Sequence, residues 1–253
     1  MPQSITAFNF VETADIGTSN QLNATLENNE SLELDKIPDG VVSGQTLIDF
    51  TNAPKVEVRS AVSLALLFAS RAATAGMSEG DDDDDWLALY TTNLGKLGFH
   101  VPPSTMSLSK FKKEGLEVHK AIIPFLKIAL GGAAMGPIIL SALENLKDID
   151  KDRPWIKLFE RERREFTTRE LHFAAVSADV FTTTIRHVVA RLEFHSRRTN
   201  ILFFKIGKTE AEFESSSTLI TANNSLLESL APKLEARMAA EIDGFLAEVK
   251  TTA

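Results

Sequence analysis

The spacing of apolar positions changes along this chain, and the changes divide it. Residues 1–54 keep no sustained period and are expected to be irregular, with short strands at 32–37 and 46–50. Between those strands, Ile37-Pro38-Asp39-Gly40 reads as a turn, because proline presets φ and glycine tolerates positive φ. After Asn52-Ala53-Pro54 the period becomes helical: Val58, Ala61, Val62, Ala65, Phe68, Ala69 and Ala72 share a face, and Gly76 is a stop. The acids that close residues 78–85 favour the positive end of a second helix dipole. Trp86, Leu89, Tyr90, Asn93, Leu94 and Leu97 continue that helix to Gly98. The two elements predict a helical hairpin.

Residues 104–111 alternate, Met106 and Leu108 opposing Ser107 and Ser109, which predicts a strand. A second helical pair is expected at 116–130 and 137–146, joined by Gly131-Gly132 and started or kinked by Pro124. From Trp155 to about Leu219 the period is two, so Ile156 and Leu158 oppose Lys157 and Phe159. Further strands are expected around 171–176 and 188–194, and 201–206, apolar on both faces, reads as a central strand. Ser225 and Glu228 form a capping-box pattern ahead of a helix whose stripe runs from Leu227 to Val249, with Pro232 bending or delaying it. The expected fold is one α+β domain over 1–253: an antiparallel sheet of about four to six strands covered by two helical hairpins and a C-terminal helix. Its parts are an irregular segment 1–54, hairpins and one strand over 55–150, the sheet over 151–221 and the helix over 222–253.

Composition adds exclusions. With 43% hydrophobic and 25% charged residues, the 253-residue chain is built to bury a core. A net charge of −8 disfavours nucleic acid and general attraction to anionic lipid. The absence of cysteine removes disulfides, thiolate metal sites and cysteine nucleophiles. The first residues lack a basic region followed by an unbroken apolar run, so no signal peptide is expected. The chain is expected to be cytoplasmic as synthesised, any release following a non-classical route. Residues 121–143 are apolar except for Lys127, but Pro124, Gly131, Gly132, Gly136 and Pro137 interrupt them, which fits two short helices better than one span.

Charge is unevenly placed. Residues 151–210 hold 13 Lys+Arg against 8 Asp+Glu, a local +5 that leaves −13 elsewhere. Lys157, Arg161, Arg163, Arg164, Arg197 and Arg198 are the candidate contact residues, on a basic sheet edge or tip that could meet lipid headgroups, an acidic partner or a second copy. Charged edges also serve simply to prevent aggregation. Lys127, Gly131 and Gly132 are the candidate hinge of the second hairpin. The acids at 81–85 are contiguous, unlike an EF-hand loop, and read as a solvated helix start. His100, His119, His172, His187 and His195 show no helical zinc spacing. No nucleophile elbow or phosphate loop is present, and no catalytic residue, metal or cofactor is expected.

Three local patterns, Trp86-x-x-x-Tyr90-x-x-x-Leu94-x-x-Leu97-Gly98-Phe99, Leu158-Phe159 and Thr199-Asn200-Ile201-Leu202-Phe203-Phe204, resemble a group of uncharacterised bacterial and fungal proteins over roughly 86–250. The order of elements, hairpin, strand, hairpin, sheet and closing helix, resembles the Cyt family of insecticidal cytolysins. That resemblance implies helical hairpins that wrap a sheet and layers that rearrange on a membrane. Three functions follow as expectations. The first is a non-enzymatic, membrane-active, toxin-like protein, for which strands above about ten residues would count. The second is a binding or self-assembling structural protein, a homo-oligomer among its forms. The third is an enzyme of unfamiliar chemistry, which would need a cleft joining the sheet histidines to acids such as Glu193.

Overall fold

The computed structural model describes residues 2–17, 32–53, 55–111, 117–150, 153–165, 170–192, 211–240 and 242–251. Its centre is a seven-stranded sheet in the order β3-β6-β5-β4-β2-β1-β7. The strands are β1 (Gly40–Ser43), β2 (Thr46–Asn52), β3 (Ser107–Phe111), β4 (Glu170–Ala178), β5 (Thr182–Leu192), β6 (Ala211–Asn223) and β7 (Leu246–Glu248). Every neighbouring pair is antiparallel except β2 and β4, which run parallel with Thr46 opposite His172. The α+β expectation holds, and the sheet is mixed where an antiparallel one was expected.

Side-chain alternation splits the core in two. On β4, Ala174 and Val176 enter one core and Leu171, Phe173 and Ala175 enter the other. The first core is covered by α1 (Pro2–Thr13), α2 (Val56–Ala75), α3 (Asp83–Lys96) and α7 (Asn224–Met238). The second is covered by α4 (Val118–Ala129), α5 (Pro137–Glu144) and α6 (Pro154–Glu165). The expected hairpins therefore lie on opposite faces of the sheet. Helix α2 is buried from Val58 to Ala73 almost all round, since Ala61, Ala65 and Ala69 let α3 and α7 approach it closely. Asp82 caps α3, accepting from the Asp84 and Asp85 amides, and Asp85 returns a bond to the Asp82 amide. The acid run is thus a helix start.

Several expectations are corrected. Residues 2–13 form a helix, and Leu34–Lys36 a single 3-10 turn in place of a strand. Trp155 to Phe159 belong to α6: Trp155, Ile156, Leu158 and Phe159 are all buried, at i, i+1, i+3 and i+4, a helical set that also satisfies short alternation. The cap of α7 is Asn223, which accepts from the Leu226 amide, in place of the Ser225–Glu228 box. That helix ends at Met238, and after a short α8 (Ile242–Phe245) the end of its expected stripe becomes β7 beside β1. Pro124 lies inside α4 and Pro232 inside α7. The strand expected at 201–206 falls outside the described residues.

Asp49 fastens the start of α5 to the sheet. Asp49, buried on β2, accepts from the Ile138 amide at 2.6 Å and the Ile139 amide at 3.4 Å, the free donors at the start of α5. Its other oxygen accepts from the Thr51 amide at 2.9 Å. Replacing Asp49 with alanine removes this cap and is expected to cost about 1–2 kcal/mol in denaturant unfolding. An unchanged unfolding midpoint would show that α5 is not held there.

Candidate functional site

Strand register gathers a polar cluster inside the first core. Glu170 and His172 lie two apart on β4 and so share a face; His187 and Arg191, four apart on β5, share the same one. Glu170 sits opposite Arg191, and His187 lies diagonal to His172 through its partner Ala174. His172 Nε2 is 3.1 Å from Glu170 Oε2, and His172 Nδ1 is 3.2 Å from His187 Nε2. Arg191 donates to Glu170 Oε1 at 2.6 and 3.2 Å and to Asp84 of α3 at 2.7 Å, and pairs with Glu214 at 3.5 Å. Glu170 and both histidines are buried.

The cover comes from α3. Trp86 and Tyr90, one helical turn apart, stack at 5.1 Å with 11° between their planes. Both rings set an edge against His172, at 5.5 and 5.8 Å, and Tyr90 also lies 5.7 Å from His187. The Trp86 indole N–H donates to Thr74 Oγ1 of α2 at 3.0 Å, which fixes the cover to its neighbour.

Electrostatics follow from this enclosure. A carboxylate only accepts, so the hydrogen shared with Glu170 rides on His172 Nε2. His172 Nδ1 and His187 Nε2 share the second hydrogen bond, whose direction follows from the tautomers of the two rings. Burial holds the His187 imidazole well below its ordinary value, and repulsion from His172 adds to that. Burial alone would depress the Arg191 guanidinium, but its hydrogen bonds to Asp84 and Glu170 outweigh this and hold it above its usual value. Burial likewise raises the Tyr90 phenol, with Thr46 offsetting part of the effect.

The cluster can share a proton and bind charge, and its Glu170, His172 and His187 are buried while Arg191 reaches out to the exposed Asp84. Two surface cavities, of about 530 and 610 Å³, are lined by none of its members. The acid joined to the sheet histidines is Glu170; Glu193 and His195 lie outside the described residues.

The second site is the α4–α5 hairpin. Gly131 and Gly132 both take positive φ, 91° and 100°, which glycine alone adopts without strain, and the Gly132 amide donates to the Lys127 carbonyl at 2.7 Å. A side chain at Gly131 would meet Arg186 of β5. Lys127 bonds Glu144 across the hairpin at 2.9 Å, both side chains about half exposed. Ser217 of β6 donates to the Ala129 carbonyl at 3.0 Å, and Asn52 of β2 to the Ala134 carbonyl at 2.9 Å.

The structure brings Lys127, Gly131 and Gly132 together. The basic candidates are placed differently from expectation. Lys157, Arg161, Arg163 and Arg164 belong to a helix, α6, which packs on β1 and β7, so they do not form a sheet edge. Arg197 and Arg198 lie outside the described residues. The Glu170, His172, His187 and Arg191 cluster escaped sequence reasoning. Its signal was the parity of charged residues inside otherwise apolar strands.

No protein-family model matches the chain, and no curated protein matches it. Among solved structures, a chain described as a delta-endotoxin is similar at 9% identity and a TM-score of 0.32, over 74% of this chain and 85% of that one.

Acid should loosen the cluster. An unfolded histidine takes up a proton near 6.5, whereas folded His187 takes it up only at lower pH, so stability falls as pH drops through 6.5. The slope from this group approaches 1.4 kcal/mol per pH unit. Unfolding of wild type and H187Q between pH 7.5 and 5 (roughly the window of histidine titration) should show a shallower pH dependence in the variant. Equal slopes would assign the acid sensitivity elsewhere.

Proposed function

We propose that this protein acts on lipid membranes without catalysis, by lifting the α4–α5 layer from the sheet and inserting the strands beneath it. The observation that carries the reading is strand length. β5 has 11 residues and β6 has 13. A tilted strand needs about 9–11 residues to cross the hydrocarbon core. Two features support it. The face under α4 and α5 carries Leu171, Phe173, Val188 and Ala190, while the other carries Glu170, His172, His187 and Arg191. Inserted strands use apolar–polar alternation, one side towards lipid and the other towards water; it is carried by residues 170–173 of β4 and 187–191 of β5, whereas β6 has Ser215 and Ser217 on the α4 side and Ile220 and Ala222 on the other. The cluster that is enclosed in the folded protein would then line an aqueous side.

The covering layer is built to move as a unit. Polar bonds between this layer and the sheet include those of Asp49 to the start of α5, Ser217 to the end of α4 and Asn52 to the turn between the two helices. Much of the contact is apolar, through Leu126, Leu130, Leu143, Leu171, Phe173 and Val188, and such contact exchanges for lipid at little cost. No helix among the described residues is long and apolar enough to cross a membrane, so the reading assigns insertion to strands.

The chain lacks cysteine, which makes a site-specific lock straightforward. A129C and S217C place thiols across the contact between α4 and β6. Oxidation or a short cross-linker should abolish dye release from liposomes, and reduction should restore it. Release that persists with the layer locked would overturn the proposed movement, and a folded wild type that releases no dye from any lipid would overturn the membrane reading.

A further inference from the structure

Arg71, near the end of α2, is buried at 7% exposure without a counter-charge among the described residues. Arg59 and Arg191 are less enclosed, yet Arg59 pairs with Asp39 at 2.7 Å and Arg191 with Glu170 at 2.6 Å. Arg71 Nε is buried and has no hydrogen-bond partner. The guanidinium lies over the Phe245 ring, 4.9 Å from its centroid. An aromatic face attracts a cation but accepts no bond in the guanidinium plane, so the Nε–H stays unanswered. Ser70 Oγ, on the preceding residue, is also buried without a partner. Both residues face the β1–β2 turn: a Cβ on Gly44 would stand 4.0 Å from Ser70 Oγ, and the Gly44 amide donates to the Phe245 carbonyl at 2.8 Å.

A buried charge is costly unless an opposite charge meets it, and an orphaned buried group in a folded protein marks a missing water or ion. Both orphans here can donate, and one is a cation, so the missing group is an anion. The way in is beside Gly17. That residue is exposed, and a Cβ built on it would stand 3.5 Å from Arg71 Nη2. Its φ of 69° favours glycine, and the absent side chain leaves Nη2 just beneath the surface. The neighbouring Asp15 carboxylate accepts from the Gly17 amide at 2.8 Å and does not pair with Arg71.

We infer that Arg71 is the seat of a binding site for a small free oxyanion, a phosphate or carboxylate, which enters beside Gly17 and takes the outer edge of the guanidinium. That edge offers parallel N–H groups that match the paired oxygens of such an ion. The enclosure admits a free ion and shuts out a lipid headgroup, whose phosphate is esterified on two sides. The site is independent of the membrane-active reading and stands or falls without it.

The test uses the full chain in chloride buffer, with inorganic phosphate as the probe and R71M as the comparison. Phosphate at ten times its Kd should raise the wild-type melting temperature by about 3–6 °C. R71M should keep only the small rise that excluded salts give any protein. Equal shifts in the two proteins would overturn the site and show that the chain itself satisfies Arg71. Equilibrium dialysis against radiolabelled phosphate keeps the question open to test if R71M fails to fold. Wild type should hold phosphate in a one-to-one ratio, and R71K, which lacks the planar fork, should hold it at least about tenfold more weakly. A folded wild type that retains no phosphate would overturn the site. Acetate should displace the bound phosphate, whereas phosphatidylcholine vesicles should not. Displacement by vesicles would overturn the free-ion assignment and give the site to a headgroup.

Discussion

The parallel pairing of β4 with β2 organises the rest of the structure. Parallel neighbours cannot be joined by a tight turn, so the chain must leave β2 and return to β4 by a long crossover. Here the crossover carries α2 and α3 on one face and α4, α5 and α6 on the other, with β3 placed at the far edge beside β6. Both covering layers are consequences of that one connection. β4 itself has no face towards water from Glu170 to Val176, so each of its side chains enters a core or finds a polar partner. Glu170 and His172 take the second course.

The two layers are fastened by different chemistry. On the first face, charge, aromatic edges and hydrogen bonds join α3 to the strands, through Asp84 on Arg191 and through Trp86 and Tyr90 on His172. Such contacts depend on direction and are costly to break when buried. On the second face Leu126, Leu130, Leu143 and Trp155 meet Leu171, Phe173 and Val188 in an apolar core. Contacts of that kind are non-directional, and an apolar solvent replaces them without penalty. The sheet thus separates a layer specified by polar geometry from one held mainly by exclusion of water.

Elements with strong local signals were legible in the sequence. The periodicity from Val58 to Ala72, the acids before Trp86 and the glycine after Leu97 fixed the first hairpin closely, because those cues act within a single helix. Failures came where two periods agree over a few residues or where a distant partner decides. Trp155 to Phe159 satisfies both alternation and a helical face, and length alone did not separate them. Leu246 to Glu248 continues a helical stripe in sequence, but β1 offers an open edge that captures it as a strand. The polar cluster was hidden for the same reason. His172 and His187 are ordinary strand residues until register and the cover from α3 bring them together.

That captured edge also sets an order of events. Val41, Val42 and Ser43 bond β2 on one side and residues 246–248 on the other, across most of the chain. At ordinary rates of synthesis, the roughly 200 residues between them take about 10–40 s to appear. Through that interval the outer amides and carbonyls of β1 have no β7 to pair with, and an open strand edge is a template for joining other chains. Helix α6, which packs across both β1 and β7, becomes available before β7 does. The nascent protein therefore carries its aggregation-prone edge longest at the strand it makes first, and shielding that edge falls to α6 or to the cell's chaperones.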